Sequence, residues 1–224
     1  MEVVLVHGGA SPETTWVGLE PLSAHWTVRP VRRRGHDFDL DAADLEPLLA
    51  TRPHLVAHSY GALGTSIAAG RAPDRVRSLT LIEPPLAHFV TGDAEVARFE
   101  ALGDEFLTHG LDMDPVRLRE FLRIAGSPVD DGPLPPRVIE AVRRSRGGRL
   151  PREARPDLRA IRAAGVPCLV ASGAHTSAAE RICDVVADEL GAERVVAPGA
   201  GHFVARAPGF CPALEAFLTR AAQA

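Results

Sequence analysis

Six short apolar runs rich in β-branched residues, at 3–6, 27–31, 53–57, 76–82, 166–171 and 194–197, recur along the chain. Stretches with helical spacing follow several of them, at 62–70, 178–190 and 212–222. This alternation restricts the fold more than any other feature, because neighbouring parallel strands need a crossover and the crossover is usually a helix. The expected class is therefore α/β, a mostly parallel sheet flanked by helices. Residues from about 86 to 157 break the rhythm with helical patterns at 94–107 and 115–124 punctuated by glycine and proline. They read as an inserted helical lid on a single domain of 1–224, whose core is about 1–85 and 158–224. Phe89, Phe99, Phe106 and Phe121 fall in that insertion, either lining an apolar pocket or stapling the lid to the body.

Composition removes several chemistries. All 25 basic residues are arginine, with no lysine and no asparagine, so neither a Schiff base nor a Walker-type phosphate loop can be written. A formal net charge of −4 gives no global attraction to nucleic acid or anionic lipid. Cys168, Cys183 and Cys211 are odd in number and lack CxxC spacing, which favours buried free thiols over a disulfide framework or zinc site. The first apolar run is too short to span a bilayer and has no basic flank, so the expectation is a cytoplasmic protein without membrane contact.

Three motifs carry chemistry. Ala57-His58-Ser59-Tyr60-Gly61 stands between an apolar strand and a small-residue helix, where a sharp turn would expose a serine hydroxyl at the carboxyl edge of the sheet. His7-Gly8-Gly9 ends the first strand, and its glycine turn offers an unhindered amide. Gly9, with the amide of Tyr60, is the expected oxyanion hole. Ala200-Gly201-His202-Phe203 follows the last strand, on a loop from which His202 can take a serine proton. Of the other histidines, His54 and His58 have the spacing of a helical metal-binding pair but lie in a strand, so no metal site is expected there. Gly199-Ala200-Gly201 fails the dinucleotide fingerprint because Val204 takes the third glycine position, and no organic cofactor is expected.

In this order the motifs resemble the α/β-hydrolase superfamily: a strand and His7-Gly8-Gly9, the Ser59 turn, the strand end Ile82-Glu83-Pro84-Pro85, a lid, and Gly201-His202. The resemblance covers the chain to about residue 222 apart from the lid, and starts at the family's third strand. It implies an α/β-hydrolase fold, no organic cofactor, and cleavage of esters, lactones, thioesters or related bonds. The departure is the acid. Many members carry aspartate after the strand that follows the lid, whereas here that loop reads Ser172-Gly173-Ala174-His175-Thr176-Ser177. Glu83 is the expected replacement, since strand ends of a parallel sheet share one edge and the order Ser59, Glu83, His202 is kept. Some members, haloalkane dehalogenases among them, place their acid at this strand end. Asp184, a lid carboxylate or no acid at all are the alternatives.

The expected function is a serine hydrolase acting on a small or medium, partly apolar ester, lactone or thioester through a Ser59 acyl-enzyme. The arginine-rich run from 143 to 155 reads as a solvated surface, or as contact with an anionic acyl carrier. Rival readings are non-hydrolytic biosynthetic chemistry on the same fold and a catalytically idle ligand-binding protein. Oligomeric state is not legible.

Overall fold

The computed structural model describes residues 1–127 and 129–223. Strands β1 (Glu2–Val6), β2 (Thr27–Val31), β3 (His54–His58), β4 (Ser78–Ile82), β5 (Cys168–Ser172) and β6 (Glu193–Val196) form one sheet of order β2-β1-β3-β4-β5-β6, parallel at every pairing. All six expected strands are present. The central β3, β4 and β5 are buried throughout, and the edges β2 and β6 are partly exposed, which is where Pro30 can sit without costing a ladder bond.

The period of two in β1 divides the core. Val4 and Val6 face one layer of helices, while Val3 and Leu5 face the other. The first layer is α2 (Phe38–Leu45), α3 (Gly61–Arg71), α7 (Leu158–Ala163) and α8 (Ser177–Leu190). The second is α9 (Phe210–Gln223) with Trp16, Leu19 and Leu22, which follow the single turn α1 (Pro12–Thr15). Between β4 and β5 the chain inserts α4 (Ala94–His109), α5 (Pro115–Ile124) and α6 (Pro136–Ser145). Sequence patterning under-reads α2, a short helix with three aspartates whose start is fixed by the Asp37 carboxylate accepting from the amides of Asp39 and Leu40. No helix among the described residues is long and apolar enough to cross a membrane.

From β1 the chain runs to β2 on one side and then crosses back to β3 on the other, so the crevice outside the carboxyl ends of β1 and β3 is a topological switch point. Small residues in α3 let the helix enter that crevice. A Cβ on Gly61 would stand 2.3 Å from the His7 carbonyl oxygen and 2.8 Å from that of Val6. One on Gly64 would stand 2.5 Å from the Asp41 Cβ in α2. The hydroxyls of Thr65 and Ser66 turn back to the carbonyls of Gly61 and Ala62, so their burial leaves no polar group unpaired.

Gly61→Ala must push α3 away from β1 and is expected to destabilise the fold by at least about 2 kcal/mol. For a chain of this size that lowers Tm by roughly 4–8 °C, measurable by differential scanning calorimetry; an unchanged Tm would show that the contact is not tight.

Candidate active site

Ser59 directly follows β3 and Glu83 directly follows β4, and their predecessors His58 and Ile82 are register partners. The two residues therefore stand side by side at the sheet edge. Both hold left-handed backbone, φ 52° for Ser59 and 49° for Glu83, which non-glycine residues adopt only where the surroundings enforce it. The enforcement is visible. The Ser59 amide donates to the Ile82 carbonyl (2.8 Å) and the Glu83 amide to the Ala171 carbonyl (2.9 Å), so each turn begins as a continuation of the neighbouring ladder.

His202 arrives on the loop after β6, and its Nδ1 lies 3.1 Å from Glu83 Oε2. With the proton on Nδ1 donated to the carboxylate, the Nε2 lone pair is left free. The other carboxylate oxygen, Oε1, accepts the Gly173 amide at 2.8 Å and lies 3.3 Å from Nδ1 of His175. Burial pushes the Glu83 carboxyl upward, but the two histidines outweigh it and hold the group down at about 2, so it is an anion at neutral pH. Burial lowers His175 and the adjoining carboxylate raises it, with a net shift upward.

A second histidine fixes the first. His58, buried beside the serine, directs Nε2 at the His202 carbonyl oxygen (2.8 Å), and since a carbonyl only accepts, that nitrogen carries the proton. Burial foremost, and the proximity of His202, push His58 down to about 3, so it is neutral and structural. The glycine of the β5 loop is needed for the same closure, because a Cβ on Gly173 would stand 1.9 Å from the Gly201 carbonyl oxygen.

On the other side of Ser59 the His7-Gly8-Gly9 loop is held by Arg33. Its guanidinium pairs with Asp41 (2.6 Å), both side chains being almost fully buried, and also donates to the carbonyls of Gly8 (2.9 Å) and Gly35 (2.6 Å). The Arg33 amide donates to His7 Nε2 at 3.1 Å. Gly8 passes so close to the serine that a Cβ there would lie 2.7 Å from that of Ser59. Gly9 and Tyr60 flank the serine at the cavity wall, and among the described residues neither amide is engaged by a turn or loop carbonyl.

A cavity of about 580 Å³ opens over these groups. Its floor holds Gly9, Ser59, Tyr60, Glu83 and His202, and its upper wall is Phe99, Phe106, Leu107, Phe121, Leu122, Val138 and Val142 from α4, α5 and α6. Phe106 and Phe121 stack with ring centroids 4.1 Å apart. Phe89 does not line the cavity and packs against the core instead. A Cβ on Gly126, just past α5, would stand 2.8 Å from the Phe203 ring and 3.3 Å from the His202 Cβ, so the insertion passes close to the histidine loop. Within the cavity wall, Glu100 Oε1 is buried without a hydrogen-bond partner among the described residues.

The structure thus brings together Ser59, His202, Glu83, Gly9 and Tyr60, all five candidates from the sequence. Among the described residues no hydrogen bond joins the Ser59 hydroxyl to His202, although both line the cavity. Asp184 lies elsewhere, paired with Arg194 at 3.0 Å. His58, His175 and the Arg33–Asp41 pair had no sequence signal: each acts through a partner far away in the chain.

A family model described as the alpha/beta hydrolase family matches residues 3–211. The chain belongs to the α/β hydrolase family. Solved structures similar to this α/β hydrolase include NosK from Streptomyces actuosus, with TM-score 0.66, 23% identity, and coverage of 99% of this chain and 98% of that one. Naproxen esterase (carboxylesterase NP) from Bacillus subtilis has TM-score 0.64 and 18% identity over 96% of this chain and 82% of that one. A carboxylesterase of Nitrososphaera gargenis has TM-score 0.64 and 16% identity over 99% and 91%. At these identities the likeness is one of fold. No curated protein sequence matches the chain.

In this hydrolase the depressed Glu83 carboxyl contributes stability above the ordinary carboxylate value of 4.5, which is lost as pH falls from there through about 2. The stability difference between wild type and Glu83→Gln, read from urea midpoints, is expected to shrink between about pH 5 and about pH 2.5. A difference independent of pH across that window would mean that Glu83 titrates as an ordinary carboxylate.

Proposed function

We propose that the protein is a serine hydrolase in which Ser59 attacks the carbonyl carbon of a small or medium, partly apolar ester, lactone or thioester. The observation that carries this reading is the doubly anchored, ionised Glu83 at 3.1 Å from His202 Nδ1, in the same cavity wall as a serine held in left-handed backbone. His202 takes the hydroxyl proton at Nε2 as the serine oxygen bonds to the carbonyl carbon. Glu83 balances the imidazolium that forms. The amides of Gly9 and Tyr60 receive the developing oxyanion. Collapse of the tetrahedral species expels the alcohol or thiol, which leaves with the proton from His202, and water repeats the sequence on the acyl-enzyme. The serine and histidine need only close into hydrogen-bond reach when substrate fills the cavity, as catalytic hydrogen bonds often tighten on binding.

The apolar wall from α4–α6 supports an acyl group of moderate length, and the unpaired Glu100 oxygen supports a hydrogen-bond donor on it. We further propose that 86–157 acts as a lid over this pocket. Arg144, Arg146, Arg149 and Arg152 pair with Glu140, Asp112, Asp39 and Asp104 respectively, and Arg149 also with Glu153. That internal pairing favours a free small molecule over an anionic carrier as substrate. The unclosed serine–histidine pair is the observation that favours the rival, an idle binding protein.

A fluorophosphonate probe separates the two: wild type is expected to label at Ser59 and Ser59→Ala not at all. With p-nitrophenyl esters of graded chain length, Ser59→Ala should lose roughly three or more orders of magnitude in kcat/KM. Retained hydrolysis in that variant would overturn the reading. Glu83→Gln keeps the hydrogen-bonding shape but not the charge, and should lose roughly two to four orders; a rate near wild type would remove Glu83 from the mechanism.

A further inference from the structure

The feature that the hydrolytic reading leaves unused is His175. Its Nδ1 is buried and lies 3.3 Å from a carboxylate already bonded to another histidine, without completing a well-aligned hydrogen bond to any of the described residues. Buried polar atoms are seldom left in that condition. We propose that Glu83, His175 and His202 form a zinc-binding site, and that zinc there switches off the serine chemistry.

The donor atoms suit a zinc-class ion. One atom from each residue lies within 4.8 Å of the other two. Glu83 Oε2 stands 3.1 Å from His202 Nδ1, and Oε1 of the same carboxylate stands 3.3 Å from His175 Nδ1. Zinc with bonds of about 2.0–2.1 Å in a tetrahedron spaces its ligands roughly 3.4 Å apart, so each ring already lies at ligand-pair distance from one oxygen of the carboxylate, and a small side-chain shift brings both rings to one ion. Two imidazoles and one carboxylate are a zinc donor set that leaves a fourth position open, here for water or a cavity-bound ligand. Magnesium and calcium, which take oxygen donors, do not match it.

The support around the ligands is also in place. The Gly173 amide holds Glu83 Oε1 and His58 holds the backbone of His202. The three ligands come from the end of β4 and the loops after β5 and β6, so no element has to refold.

The regulatory consequence rests on the hydrolase reading given above; the binding does not. An ion on Nδ1 occupies the nitrogen that otherwise donates to Glu83. The neutral ring then keeps its one proton on Nε2, the nitrogen that must accept the serine proton. Zinc also neutralises the carboxylate that would balance an imidazolium. No bond is made or broken in substrate; the base is simply removed, reversibly.

Zinc binding is measured by competition with a chromophoric chelator, in wild type, in Ser59→Ala, and in His175→Ala and His175→Gln. Wild type and Ser59→Ala are expected to bind one equivalent alike, and both His175 variants to bind at least about tenfold more weakly. Circular dichroism checks that the variants fold, with His175→Gln retaining a polar side chain should the alanine variant not fold. Equal affinity in wild type and a folded His175 variant, or no stoichiometric binding in wild type, overturns the proposal. In the activity arm, zinc should inhibit ester hydrolysis, a chelator should restore it and magnesium should have no effect. A His175 variant should need at least about tenfold more zinc for the same fractional inhibition. Stoichiometric binding that leaves hydrolysis untouched overturns the switch. An inactive wild type that still binds zinc through His175 would sink the hydrolase reading and keep the site.

Discussion

The contact on which the site depends is the approach of α3 to the end of β1. With only hydrogen at Gly61, the helix comes close enough that a methyl group would overlap the His7 carbonyl. Gly8 then lies against the serine itself. The position of the loop that offers the Gly9 amide and the position of the Ser59 hydroxyl are thereby set by one packing event, with no flexible connection between them. Strand register supplies the other coordinate, putting Glu83 beside Ser59 because their preceding residues are paired. What remains free is the loop bearing His202, and it is tied from beneath by His58 and from the side by Glu83.

Much of this was legible in the sequence because it is local. Each strand announces itself by a β-branched apolar run, and the Ser59 turn by small residues whose only use is close packing. The nearness of Glu83 to His202 was legible from its place at a strand end, because parallel strand ends share one edge. Residues that act at a distance could not be read. Arg33 lies in an Arg-Arg-Arg run, and its guanidinium is buried against Asp41 and two carbonyls. Nothing in the spacing distinguishes it from Arg32 or Arg34, which are exposed. His58 and His175 are similar cases: nothing in the sequence says that His58 would hold the His202 carbonyl or that His175 would lie beside Glu83.

The loop after β5 illustrates how a site can be rearranged without changing its charge. A histidine occupies the loop after β5, and the glutamate one strand earlier faces both that histidine, at 3.3 Å, and His202, at 3.1 Å. One anion therefore serves two rings. The strained φ of 49° at Glu83 fits this role, since an extended residue there would point its side chain to one face of the sheet instead of over the sheet edge.

The hydroxyl of Tyr60 reaches the carbonyl oxygens of His36 (3.0 Å) and Arg149 (2.8 Å), the first on the segment after β2 and the second near the end of the insertion. The residue whose amide faces the cavity beside Ser59 is thus mechanically coupled, through its own ring, to the far end of the covering segment. A displacement of that segment acts as a lever on the turn. The packing of 86–157 and the backbone of the Ser59–Tyr60 turn are therefore one mechanical unit, and a change made in either is felt in the other.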